Sequence, residues 1–118
     1  MIDQIKAIKK PWGGELIWAE TEDYIGKILF IKKDHRLSRQ YHELKEETIF
    51  VKTGILSLEL GSGENIQKVS LNAGQTFHIN PGVVHRFCAP YGEVELFEVS
   101  TPHLEDVVRL EDDYDRHQ

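Results

Sequence analysis

The chain has 118 residues, 40% of them hydrophobic, 29% charged and 9% aromatic, proportions that fit one compact domain and leave no room for a second catalytic module. Its 14 Lys and Arg against 20 Asp and Glu leave a net charge of -6, the wrong sign for holding phosphate backbones, so no nucleic-acid partner is expected. Cys88 is the only cysteine, which excludes an internal disulfide and a cysteine-built zinc site and favours a reducing, cytoplasmic setting.

The first residues, MIDQIKAIKKPWGG, are charged and carry neither an export signal nor an apolar stretch of membrane length, so no membrane partner is expected. Short runs of Ile, Val, Leu, Phe and Thr follow. Glu15–Ala19, Ile25–Lys32, Leu37–His42 and Thr48–Thr53 read as strands, and then Ile55–Leu60, Ile66–Leu71, Thr76–Ile79, Val83–Cys88 and Glu93–Ser100. Turn residues separate them, among them Gly54, Gly61-Ser62-Gly63, Pro81-Gly82 and Pro90-Tyr91-Gly92. Leu56, Leu58 and Leu60 alternate with Ser57 and Glu59, the mark of a strand with one buried and one wet face. Gaps this short admit no crossover helices, so the class is all-β and antiparallel, a sandwich or barrel. Leu104–Leu110 is expected to form a helical turn or two, within a tail (103–118) that packs lightly.

Gln40 and His42 fall on one face of a strand, because side chains there repeat every second residue. Glu47 follows across a short turn. Asn80-Pro81-Gly82 then makes a tight turn that returns the chain with His85 inward. Two imidazoles, an amide oxygen and a carboxylate form a mixed N/O set suited to zinc, manganese, iron, cobalt or nickel. Each residue alone has a plainer reading: half-buried histidines, a solvated glutamine and a surface ion pair.

The spacing Gln40-x-His42, Glu47, Gly54, and later Gly74 with Pro81-Gly82-x-x-His85, resembles the two motifs of the cupin superfamily. Most metal-binding cupins carry histidine where this chain has Gln40, and glutamine there is similar to mannose-6-phosphate isomerases. Lys10-Pro11-Trp12-Gly13, LSRQYHELKEETIFVKTG from Leu37, INPGVVHRF from Ile79, FEVS at 97–100 and EDVVRLEDDYDR from Glu105 extend the resemblance over almost the whole chain. They resemble the carboxyl-terminal isomerase domain of bacterial type II mannose-6-phosphate isomerase/mannose-1-phosphate guanylyltransferase, here as a stand-alone domain. The glycine-rich nucleotide loop of the other half is absent, so nucleotide transfer is not implied. The sequence departs from the family pattern at Glu43-Leu44, Thr48, Asn80 and Ser100, among which are positions expected to line the sugar pocket.

The resemblance implies a small double-stranded β-helix of jelly-roll type, one domain over 1–118, and a homodimer. It implies a divalent metal, zinc first, on Gln40, His42, Glu47 and His85. The implied reaction is aldose–ketose isomerisation of a sugar phosphate, mannose 6-phosphate to fructose 6-phosphate as the named case, through an enediol whose oxygens the metal polarises. Glu98, between Leu96 and Ser100 on one strand face, is the candidate base; facing solvent it would be only a charged strand residue. Arg86 joins the catalytic set, with Arg39, Arg109 and Lys32, as a basic residue able to meet a phosphate, although alternation beside His85 turns it from the metal. His78 reads as a group beside the site or as a half-buried histidine, while His35, His103 and His117 carry no interpretable spacing. The aromatic residues and Cys88 read as packing. Two other functions fit the motifs: a metal-binding sugar or nucleotide-sugar sensor or accessory subunit, which the departures at Glu43-Leu44 and Ser100 favour, and an iron oxygenase using His42, Glu47 and His85, which Gln40 disfavours.

Overall fold

The computed structural model describes residue 2 and residues 4–116; His117 lies outside them. Among the described residues eleven strands form two antiparallel sheets. The six-stranded sheet has the order β1 (Lys6–Lys10), β2 (Gly13–Glu20), β3 (Ile25–Ile31), β10 (Val94–Ser100), β5 (Glu47–Thr53), β8 (Thr76–Ile79). The five-stranded sheet has the order β11 (Val108–Glu111), β4 (Arg39–Tyr41), β9 (His85–Cys88), β6 (Ile55–Leu60), β7 (Gln67–Asn72). The chain crosses between sheets repeatedly, as in a double-stranded β-helix, and the fold class expected from the strand pattern is the one observed. Among the described residues no helix is long and apolar enough to cross a membrane.

Alternation decides what lies between the sheets. In β10, Val94, Leu96, Glu98 and Ser100 are buried and their neighbours are more exposed; β5 does the same with Glu47, Ile49 and Val51. The interior is therefore graded along the strands. Leu29, Ile31, Val51, Leu56, Leu58 and Leu96 close one end as an apolar core. Each such side chain contributes about 1.5–3 kcal/mol on burial. That closed end supports the other, where Glu15, Lys27, His42, Lys45, Glu47, His85 and Glu98 are all buried.

Two elements differ from the sequence expectation. The stretch Leu104–Leu110, expected to be helical, runs into β11, which pairs with β4 through Val108↔Tyr41 and Arg109↔Gln40. Its strand state comes from that partner, since four residues carry too little periodicity to declare themselves. The tail packs lightly, none of residues 104–116 being buried, but charge ties it down. Arg36 grips the Asp113 carboxylate with two hydrogen bonds, Nε to Oδ2 at 2.7 Å and Nη2 to Oδ1 at 3.0 Å. Arg86 adds a third from Nη2 to Oδ1 at 3.0 Å. β1 lies in the amino-terminal stretch that the sequence marks only as charged, because three lysines in five residues hide the strand signal; lysines on an edge strand also deter pairing with other chains.

Candidate metal centre

The site is assembled by short connections at one end of the barrel. His42 stands one residue beyond β4, so it faces the way Gln40 does. Glu47 opens β5. The Asn80-Pro81-Gly82 turn folds back on this point, with the Gly82 N–H donating to the His42 carbonyl at 2.7 Å. Gly82 has φ +83°, the left-handed region that glycine enters without steric cost. Two residues into β9's approach, His85 is thereby brought opposite Gln40 across the β4–β9 pair, on the same face of the sheet.

His42, Glu47 and His85 are 4%, 2% and 1% exposed, and each offers a ligand atom within 4.8 Å of the others. Glu47 Oε1 lies 3.2 Å from His85 Nε2 and 3.8 Å from His42 Nε2. The outward nitrogens are committed. His85 Nδ1 donates to the Val83 carbonyl at 2.9 Å and His42 Nδ1 to the Asp106 carbonyl at 2.5 Å. Because a carbonyl can only accept, both Nδ1 atoms carry the proton. The two Nε2 atoms and Glu47 Oε1 make no hydrogen bond within the protein. An unmade hydrogen bond on a buried polar atom costs about 1–3 kcal/mol, so three converging here call for an electrophile. A divalent metal fits that donor set: two imidazole nitrogens with backbone-anchored rings and one carboxylate oxygen.

The charges around the donors are arranged in a chain. Lys45 Nζ lies 3.1 Å from Glu47 Oε2 and 3.3 Å from Glu98 Oε2. Burial opposes ionisation of Glu47, yet its neighbours, the Lys45 ammonium at 3.1 Å among them, hold it well below the usual carboxylate range. Glu98 goes the other way: burial first, then the neighbouring Glu47, push it up to about 7. Burial would lower Lys45, but Glu98 and Glu47 keep it raised and protonated. Further along, Lys27 Nζ faces Glu15 Oε2 at 3.6 Å.

A cleft of about 350 Å³ opens above this chain, walled by residues that include Trp12, Glu15, Lys27, Gln40, His42 and Lys45, and by Glu105, Val107, Arg109 and Arg116 from the C-terminal segment. With Lys10 it is lined by five cations and two carboxylates, an excess of positive charge in a chain of net charge -6. Such a cleft suits an anionic ligand.

The structure sorts the sequence-predicted residues. His42, Glu47 and His85 converge; Gln40 lines the cleft beside them, its Oε1 accepting from the Ser38 hydroxyl at 2.8 Å. Glu98 is buried directly behind Lys45 rather than on the cleft wall. Arg86 is outside the site. It lies on the opposite face of β9 from His85, with Nε donating to the Leu37 carbonyl at 2.8 Å and the other nitrogens turned to Glu111 and Asp113, so it serves the tail and not a substrate. Arg39 is likewise spent on Glu59 at 2.6 Å and Glu111 at 3.3 Å, and Lys32 is exposed away from the cleft. His78 is exposed and pairs with Glu46 at 2.5 Å. Glu43-Leu44, Thr48, Asn80 and Ser100 are absent from the cleft lining, although Ser100 pairs with Glu47 across β10 and β5. Cys88 is buried and its thiol pushed up to about 11, chiefly by burial, consistent with packing. Lys45, Glu15, Lys27 and Arg116 were not singled out from the sequence. Glu15 and Lys27 share the inward phase of their strands, a signal that alternation contained.

Known proteins resemble the chain in fold. An RmlC-like cupin from Shewanella frigidimarina superimposes with TM-score 0.74 at 16% identity, over 86% of this chain and 87% of that one. KdgF from a Halomonas species gives 0.71 at 19%, over 85% and 88%. The capsular polysaccharide assembling protein CapF from Staphylococcus aureus gives 0.80 at 14%, over 93% of this chain and 32% of CapF, so the likeness spans about a third of that protein. No curated protein sequence matches. The family model for the mannose-6-phosphate isomerase C-terminal domain matches residues 2–112. With nearly its whole length covered by that model and its fold shared with cupins, the chain belongs to the mannose-6-phosphate isomerase C-terminal family.

Proposed function

We propose that the protein is a metal-dependent aldose–ketose isomerase of a sugar phosphate, with mannose 6-phosphate and fructose 6-phosphate as the first pair to test. The observation that carries this reading is the junction of a buried, unsatisfied His42/Glu47/His85 cluster with a cation-rich cleft. His42, Glu47 and His85 would hold the ion, zinc by preference, and Gln40 would add its amide oxygen from the adjacent strand position. When bound, the ion supplies Lewis-acid stabilisation of negative charge developing on the sugar oxygens.

The remaining work belongs to the chain's own groups. Arg109, in the segment that walls the cleft, would meet the phosphate, while Arg116 on the same wall is held by Asp112, Nε to Oδ2 at 2.9 Å and Nη2 to Oδ1 at 3.1 Å. Lys45 stands between Glu98 and the cleft, so this reading requires Lys45 to move aside when substrate binds. Glu98 then takes the proton from the carbon beside the carbonyl and returns it to the neighbouring carbon, a task for a carboxylate that both binds and releases a proton near neutrality. Trp12 and Leu37, apolar in the cleft wall, limit water around the reacting carbons.

A homodimer belongs to the same proposal. On the outer face of the six-stranded sheet Leu16, Ile28, Phe97 and Phe50 stand in one cross-strand row, with the Phe50 and Phe97 rings stacked at 6.0 Å. Trp18 and Val99 flank them, about half exposed.

The test is interconversion of a panel of aldose and ketose phosphates followed by NMR, with zinc- or manganese-loaded and chelator-treated protein side by side. Turnover that chelator removes and metal restores is expected. Stoichiometric metal without turnover of any sugar contradicts the isomerase and favours a sugar-sensing or accessory role.

A further inference from the structure

The segment between β10 and β11 performs two tasks. Glu105 and Val107 face the cleft, while Asp106 between them reaches the connection from β4 to β5. Its carboxylate accepts three successive backbone N–H groups: Glu43 on Oδ1 at 3.1 Å, Leu44 on Oδ2 at 2.7 Å and Lys45 on Oδ2 at 2.8 Å. Its carbonyl accepts the His42 Nδ1 proton. One residue from the C-terminal segment therefore fixes both the ring of a metal donor and the turn that delivers Lys45 to Glu47 and Glu98.

The ring bond has a chemical consequence. A neutral imidazole carries one proton, and the atom without it is the ligand. With the Asp106 carbonyl in place the proton stays on Nδ1 and the Nε2 lone pair points at the cluster. Without that carbonyl the proton is free to sit on Nε2, where Glu47 Oε1, 3.8 Å away, draws it; Nε2 then offers no lone pair.

We propose that Asp106 is a positioning residue of the metal centre: by clamping the 43–45 turn it holds its own carbonyl against His42, sets that ring's tautomer and so sets metal affinity. This rests on the reading of His42, Glu47 and His85 as metal donors. The C-terminal segment is then part of the centre, and its docking is a condition for tight metal binding.

The test compares the full chain with Asp106→Ala, Asp106→Asn and Glu46→Gln, by cobalt(II) titration and by long-range proton–nitrogen NMR of the histidine rings in metal-free protein at pH 8. The wild type is expected to bind one cobalt, Asp106→Ala about 10–100-fold more weakly, and Asp106→Asn in between, since one acceptor oxygen remains. Glu46→Gln alters only the outward pair with His78 and should match the wild type. In the NMR spectra His42 is expected to move from the Nδ1–H to the Nε2–H form in Asp106→Ala, with His85, anchored on Val83, unchanged. Unchanged cobalt affinity in Asp106→Ala overturns the proposal, and so does weakened affinity with an unmoved His42 tautomer. If the wild type itself binds no cobalt, the metal reading fails, and the tautomer comparison still decides whether Asp106 governs His42. Should Asp106→Ala not fold, Asp106→Asn carries both comparisons.

Discussion

At the scale of single residues, the centre works by setting two carboxylates apart. Glu47 and Glu98 share one ammonium, Lys45, yet Glu47 is held well below the usual carboxylate range, while burial and the neighbouring Glu47 charge raise Glu98. Glu98→Gln removes proton transfer without touching a donor. Its turnover is expected to fall about 10²–10⁴-fold while metal stoichiometry in a titration stays at the wild-type value. Glu15→Gln serves as the comparison, because Glu15 also lines the cleft but is paired with Lys27; it should retain more turnover than Glu98→Gln, and the reverse order would move the base to Glu15. The convergence of His42, Glu47 and His85 was legible from spacing, since a short turn carries the chain from His42 to Glu47 and the Pro-Gly turn returns His85. Lys45 was not, because it sits in a turn where no period applies, and Arg86, which alternation already turns from the metal, is kept from a phosphate by partners distant in sequence, Leu37, Glu111 and Asp113.

At the scale of elements, two glycine turns illustrate how backbone conformation and space contribute separately. Gly82 and Gly54 both have positive φ, +83° and +85°. A Cβ at Gly82 meets nothing within 4 Å, whereas one at Gly54 would lie 2.3 Å from the Glu93 carbonyl oxygen. Gly82→Ala is expected to cost about 1–2 kcal/mol in urea unfolding, and Gly54→Ala clearly more, because backbone must also move; equal costs would contradict this. The C-terminal segment offers a second test. Hydrogen bonding to Arg36 holds Asp113 below its ordinary pKa, and Arg116 does so for Asp112 against the effect of burial. Lowered native pKa values mean that this stabilisation is full above about pH 4 and is lost as pH falls through the native values. Amide NMR signals of residues 108–114 should therefore shift toward unfolded positions on acidification before those of β5 and β10. Short edge strands such as β1 and β11 were hidden from the sequence because their partner makes them strands, while β3, β5, β6 and β10 carried the alternating apolar pattern themselves.

At the scale of the molecule, one apolar end supports one polar end. The closed core needs no ligand, so removing metal should leave the protein folded with a lower thermal midpoint, by the linkage between binding and stability. On the outer sheet face, Phe50→Asp places a charge in the row with Phe97 and is expected to convert a dimer into a monomer by light scattering, with turnover per chain retained if each site is complete. A wild type that is monomeric at all accessible concentrations would contradict the dimer.

Proton transfer itself is the central claim. Metal-loaded protein incubated with mannose 6-phosphate in deuterated water should introduce deuterium at the carbon beside the carbonyl, and Glu98→Gln and His85→Ala should each abolish it. A fully metal-loaded wild type that leaves that carbon, and its counterpart in every other sugar phosphate offered, without deuterium would contradict the account.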